Sequence, residues 1–140
     1  MKTRRKILAA LLAVAVSPLA FAATTKVTPP TVEIVAMPHP PVKSALAPLR
    51  DWLSAQGNKL RVTEIDSESP EGVRRMQAAG LTGHIPILIL VDGQYRHKRK
   101  DGNTVAFVNF PNVEGTPPGA RGDWTTADVQ AVLKERLKGR

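Results

Sequence analysis

An α/β fold is what the sequence predicts, and three observations predict it. The aliphatic run Ile87 to Val91 follows Pro86 and stops at Asp92-Gly93. A run without polar alternation suits a strand covered on both faces, and proline, which has no N–H for a ladder, belongs at a strand's first residue. Upstream of it, two β-rich runs each lead into a stretch with apolar residues at helical spacing. Downstream, Asp-Gly between β-rich runs marks a hairpin.

The N-terminus is set aside before the fold is read. Lys2, Arg4, Arg5 and Lys6 precede an apolar core from Ile7 to Val16, and Ala20-Phe21-Ala22 gives small residues around a cleavage site. That is the pattern of a secretory signal over residues 1–22, removed on export to the periplasm. Its apolar core is too short for a membrane span, and an uncleaved anchor is the alternative. Thr3-Arg4-Arg5-Lys6-Ile7-Leu8 also resembles a twin-arginine export motif, with Ile7 where phenylalanine is commoner. Cleavage leaves 118 residues, enough for one domain, and lowers the net charge from +8 to +4, since the signal holds four basic residues and no acidic one. The basic balance of the whole chain therefore does not argue for a nucleic-acid partner, and none of specific kind is expected. There is no cysteine. Neither disulfide stabilisation nor thiol chemistry is available to this protein.

Residues 23–31 read as a polar leader containing Pro29 and Pro30, and residues 32–140 as the folded domain. Val32 to Met37 is the first strand. Pro38-His39-Pro40-Pro41 stops it, because proline suits neither a ladder nor a helix interior, and the chain must turn there. Val42, Ala45, Leu46, Leu49, Trp52 and Leu53 recur at helical spacing, with Pro48 expected to kink the helix before Gly57-Asn58. Leu60 to Ile65 is the second strand, with Asp66 to Ser69 as its exit loop. Ser69 caps a helix that opens with Pro70, turns Val73 and Met76 inward and closes at Gly80. Tyr95 to Lys100 and Thr104 to Phe110, joined by Asp101-Gly102-Asn103, form the hairpin that follows the buried strand. A loop from Asn112 to Asp123 leads to a final helix that starts at Thr125 and Asp128, with Val129, Val132, Leu133 and Leu137 facing inward.

The order β-α-β-α-β-β-α, with the stretch Gly80-Leu-Thr-Gly-His-Ile-Pro-Ile-Leu-Ile-Leu-Val-Asp-Gly93 in its third strand, resembles the thioredoxin superfamily from about Val32 to Lys138. The resemblance implies a three-layer sandwich, here with an added charged hairpin, and a cis peptide bond before Pro86. It also implies a Cys-x-x-Cys between the first strand and first helix. That place reads Met37-Pro38-His39-Pro40 in one alignment and Pro40 to Lys43 in another, and neither holds a thiol. Thiol–disulfide exchange needs a thiolate, so the family's oxidoreductase activity is not expected.

A groove beside the implied cis-proline would be lined by Met37, Pro38, His39, Pro40, His84, Ile85 and Pro86. The leading expectation is a binding or accessory module that takes a periplasmic peptide or protein there by strand addition. The alternative is that these residues only close a core. A second class of function is copper binding by Met37, His39 and His84, since thioether and imidazole suit copper. Arg96, His97, Lys98, Arg99 and Lys100 form a basic patch that suits either an anionic partner or protection of an edge strand from pairing. Arg121-Gly122-Asp123 matches an adhesion tripeptide that arises readily by chance. Ser44, Ser54, Ser67 and Ser69 lack a nucleophile setting, and no phosphate loop, dinucleotide fingerprint or zinc-ligand motif appears.

Overall fold

The computed structural model describes residues 26–139, and the signal segment lies outside them. The elements are β1 (Thr31–Ala36), α1 (Pro40–Ala55), β2 (Arg61–Asp66), α2 (Pro70–Ala78), β3 (Ile87–Val91), β4 (Arg96–Lys98), β5 (Thr104–Ala106) and α3 (Thr126–Lys138). This is a mixed α/β domain with two small sheets, ordered β2-β1-β3 and β4-β5. β1 runs parallel to β2, with Val35 opposite Ile65, and antiparallel to β3, with Ile34 opposite Ile89. Beyond β5 the chain continues along the free side of β3. There Ile89 N–H donates to the Phe107 carbonyl at 3.0 Å and Asn109 N–H to the Ile87 carbonyl at 2.9 Å.

β3 is buried at every residue because helices cover both faces of the sheet. Ile87, Ile89 and Val91 join Val32 and Ile34 against Leu46 and Leu49 of α1 and Val129 and Leu133 of α3. Leu88 and Leu90, one step out of phase, join Val35 and Ile65 against Met76 of α2. Alternation along a strand divides the aliphatic residues between two cores. Val73, expected to face inward, is instead 43% exposed. The buried residue of α2 is Gly72, where a Cβ would stand 2.1 Å from the Asp66 carbonyl oxygen. One residue is about 100° of helix rotation, so an approach through Gly72 turns Val73 toward solvent.

The ends of the helices follow local chemistry. Pro40 and Pro41 open α1 rather than precede it, behind His39 as N-cap. First-turn N–H groups have no intrahelical partner, so proline costs little there. Pro48 lies within α1, which continues to Ala55. Ser69 Oγ accepts from Gly72 N–H at 3.1 Å. At the other end of α2, Gly80 at φ +71° allows its own N–H to reach the Gln77 carbonyl and Leu81 N–H to reach that of Met76, both at 2.9 Å. This paired closure satisfies carbonyls that the helix leaves free. Thr125 and Asp128 make a reciprocal capping box on α3. Asp92 and Gly93, both at positive φ, form the two-residue turn after β3, with Val91 and Gln94 exchanging backbone hydrogen bonds.

One expectation for the strand's start is corrected. Every peptide bond among the described residues is trans, including that between Ile85 and Pro86. The reversal before β3 is made by Gly83 at φ +88°, and the trans Pro86 carbonyl already stands in register with β1. With glycine supplying the turn, nothing in the geometry demands a cis bond. No helix of the described residues is long and apolar enough to cross a membrane.

The β4-β5 hairpin is anchored through aromatic rings. His97 is buried and stacks on Phe107 with centroids 5.0 Å apart, and Phe107 meets Trp124 edge-on at 6.2 Å. Trp124 Nε1–H donates to the Asn109 carbonyl at 3.1 Å, and His97 Nε2–H to that of Gln94 at 2.8 Å. Burial holds the His97 imidazole below its ordinary pKa; the Gln94 hydrogen bond opposes this, Arg136 adds to it and Asp92 opposes it. With the folded value lowered, the unfolded chain binds the proton more readily, so stability is lost as pH falls below about 6.5. Urea unfolding at pH 7 and pH 5 should show a larger loss for the wild type than for His97→Gln. Equal losses would remove His97 from the acid sensitivity of the fold.

Candidate binding cleft

The ends of β1 and β2 and the start of β3 meet at one edge of the sheet. Met37 N–H donates to the Pro86 carbonyl at 3.0 Å, and the Ala36 carbonyl accepts from Ser67 N–H at 3.0 Å. Both bonds prolong ladders by one step, and they bring the loops after β1, after β2 and before β3 side by side. A cavity of about 400 Å³ opens there, and Met37, His84 and Ile85 all line it. Met37 is 9% exposed and packs into the α1-side core, Ile85 is half-buried, Pro86 is buried and His84 is exposed.

The remaining expected groove residues lie beside this cavity. Pro38 borders a smaller hollow of about 190 Å³ on the far side of Met37, shared with Lys43 and Asp66. Pro40 is exposed on the first turn of α1. His39 Nε2 stands 3.2 Å from Glu68 Oε1, with both side chains 53% exposed, and Glu68 lines the larger cavity. A pair so open to water contributes little energy, but it sets Glu68 beside the mouth. Met37 and His84 are thus brought together, whereas His39 reaches the cavity only through Glu68. Among the described residues no group of three His, Cys, Asp or Glu side chains is placed to share a metal ion.

Ser67, Glu68, Met76 and Leu81 also line the cavity, and sequence reasoning did not assign them to it. The parallel pairing of β1 and β2 held the signal: ligands in such sheets collect outside the carboxyl ends of parallel strands, where residue 67 follows β2. Ser67 is 9% exposed, and its Oγ has no hydrogen-bond partner among the described residues. The main-chain N–H groups of Thr82, Gly83, His84 and Ile85 are likewise unpaired among them. Backbone polar groups need partners, so this rim is prepared to pair with another chain or with water.

Other candidates are largely absorbed by the fold. In the basic patch, His97 is buried, and Arg99 forms a two-pronged bond with Asp128 at 2.8 and 2.9 Å. Arg99 holds the Asp128 carboxyl below the usual carboxylate range. Arg96 lies over the Tyr95 ring at 5.1 Å, leaving Arg96, Lys98 and Lys100 exposed. In the Arg-Gly-Asp tripeptide, Arg121 Nε donates to the Thr116 carbonyl, and Asp123 Oδ1 accepts from Ala106 N–H. A Cβ on Gly122 would stand 2.2 Å from the Val108 carbonyl oxygen. The tripeptide holds its loop together and against β5 and the segment after it.

No protein-family model, curated protein or solved structure matches the chain. Next to the cavity, α2 lies against the backbone of Asp66 and Ser67 through Gly72. Glycine to alanine inside a helix ordinarily gains up to about 1 kcal/mol. Here the added methyl meets backbone at 2.1 Å, so Gly72→Ala should instead cost about 1–3 kcal/mol in urea unfolding. A gain in stability would show that α2 does not lie this close to the backbone of Asp66 and Ser67.

Proposed function

We propose that this protein is an exported, redox-inactive member of the thioredoxin-like class that binds an extended peptide or protein segment in the cleft beside Pro86. The strand order β2-β1-β3, its parallel and antiparallel pairings, and the antiparallel segment after β5 support the class. So do two helices on one face of the sheet and one on the other. The basic, apolar and small-residue pattern of residues 1–22 supports export to the periplasm. The lack of a cysteine, and so of the thiolate that disulfide exchange requires, supports the redox-inactive reading.

The observation that carries the proposal is the unpaired main chain of His84 and Ile85, held beside a cavity by the Met37–Pro86 hydrogen bond. Strand addition uses such groups: main-chain hydrogen bonds give affinity, and pockets for alternate side chains give selectivity. Octapeptides selected from a displayed library on the wild-type protein should bind Ile85→Arg at least about tenfold more weakly, with an unchanged circular dichroism spectrum, since a buried unpaired charge opposes docking. Undiminished binding by the folded variant would exclude the cleft. In an insulin-reduction assay with dithiothreitol, the protein should not accelerate precipitation over the blank. Acceleration would contradict the redox-inactive assignment.

A further inference from the structure

We infer that the β4-β5 hairpin and the adjoining side of α3 form a docking face for an anionic phospholipid bilayer. The inference starts from where the charge lies. Residues 94–106 and α3 hold seven of the fifteen Lys and Arg side chains of residues 26–139 but three of the twelve Asp and Glu, a net charge of +4. The remaining described residues sum to −1. The positive charge of the domain is thus gathered on one hairpin and one helix, and a one-sided field of this kind draws a molecule to anionic partners.

Local structure turns these cations outward and leaves three of them unpaired. β4 alternates, so Arg96 and Lys98 are exposed on either side of buried His97. Lys100 is exposed in the turn that follows. None of the three shares an ion pair with a described residue. Asp101, the acid beside them in sequence, accepts instead from the main-chain N–H and the side-chain amide of Asn103. Arg99 is taken up by Asp128, and that bond, with the His97 stack on Phe107, fixes the hairpin to α3 and to the core. The free cations are therefore held in place before any partner arrives. Protection of an edge strand accounts for charge on β4, but not for Lys100 beyond it or for the excess on α3.

Tyr95 is half-buried beneath Arg96, which leaves little ring for a nucleic-acid base to stack on, whereas a lipid headgroup asks only for charge. The choice of a bilayer rests on the export reading of residues 1–22, which takes the domain across a membrane. The sheet sets the orientation. β3 starts at Ile87 beside the cleft and ends at Val91 opposite Val32, near the start of β1. Gln94, bonded back to Val91, opens the hairpin there. The cations thus lie toward the end of the sheet away from Pro86, and a docked molecule keeps its cleft clear of the bilayer.

The test sediments residues 23–140, which contain every described element, with vesicles of phosphatidylcholine alone or mixed equally with phosphatidylglycerol. At low salt the mixed vesicles should bind at least about fiftyfold more tightly, and the advantage should shrink at physiological salt. Arg96→Gln, Lys98→Gln and Lys100→Gln combined should weaken binding to the mixed vesicles about a hundredfold, about fivefold for each cation removed. Gln at exposed Lys26, Lys59 and Arg74 lowers the net charge equally and should cost less than about threefold, with the circular dichroism spectrum of both variants unchanged. No preference for the mixed vesicles, or equal losses in the two triple variants, overturns the inference. Tighter binding of a duplex oligonucleotide than of the mixed vesicles at physiological salt overturns the bilayer and assigns the face to nucleic acid. Vesicle binding is read on the purified domain and export on the signal segment, so the two readings fail separately.

Discussion

The hydrogen bond from Met37 N–H to the Pro86 carbonyl is the constraint on which the rest of the cleft depends. It extends the antiparallel ladder one step beyond the Ala36–Ile87 pair and so fixes where the loop before β3 stands relative to the start of α1. On the other side of β1, the Ser67–Ala36 bond extends the parallel ladder in the same way. Two sheet-edge bonds therefore hold three loops together at one end of β1. The cavity between them is a consequence of sheet register and needs no ligand to assemble it.

The helices set the depth of that cavity. Gly72 lets α2 lie against the backbone of Asp66 and Ser67, and the same rotation turns Val73 out to the cavity wall. At the far side of the domain, the hairpin after β3 is tied down by His97 on Phe107 and by Arg99 on the capping carboxylate of α3. Two of five residues in a basic run are thus consumed by structure. A dense run of charge marks a surface only where the strand's alternation points it outward, as it does for Arg96 and Lys98 on either side of His97.

Much of this was legible from residue patterns. The limits of β3, the cap of α3, the closure of α2 at Gly80 and the Asp92-Gly93 turn follow from local chemistry, because each is decided by neighbours within a few residues. Errors arose where distant packing decides. Val73 has helical spacing for the core, but Gly72 makes the closer approach to β2. Pro40 and Pro41 read as a stop and serve as a start, since a proline run fits either boundary. The trans bond before Pro86 reflects a turn made by Gly83, which a resemblance centred on proline did not weigh. Of the cleft, Met37, His84 and Ile85 were foreseen to meet, whereas Ser67 was not, because burial of a loop hydroxyl is a property of the assembled sheet edge.

The most direct measurement is amide hydrogen exchange, followed residue by residue with and without a bound octapeptide. The Met37 N–H should be protected in the free protein, those of His84 and Ile85 should exchange freely, and at least one of these two should become protected when the peptide is added. A fast Met37 amide in the free protein, or His84 and Ile85 amides that a bound peptide leaves unchanged, would contradict the account.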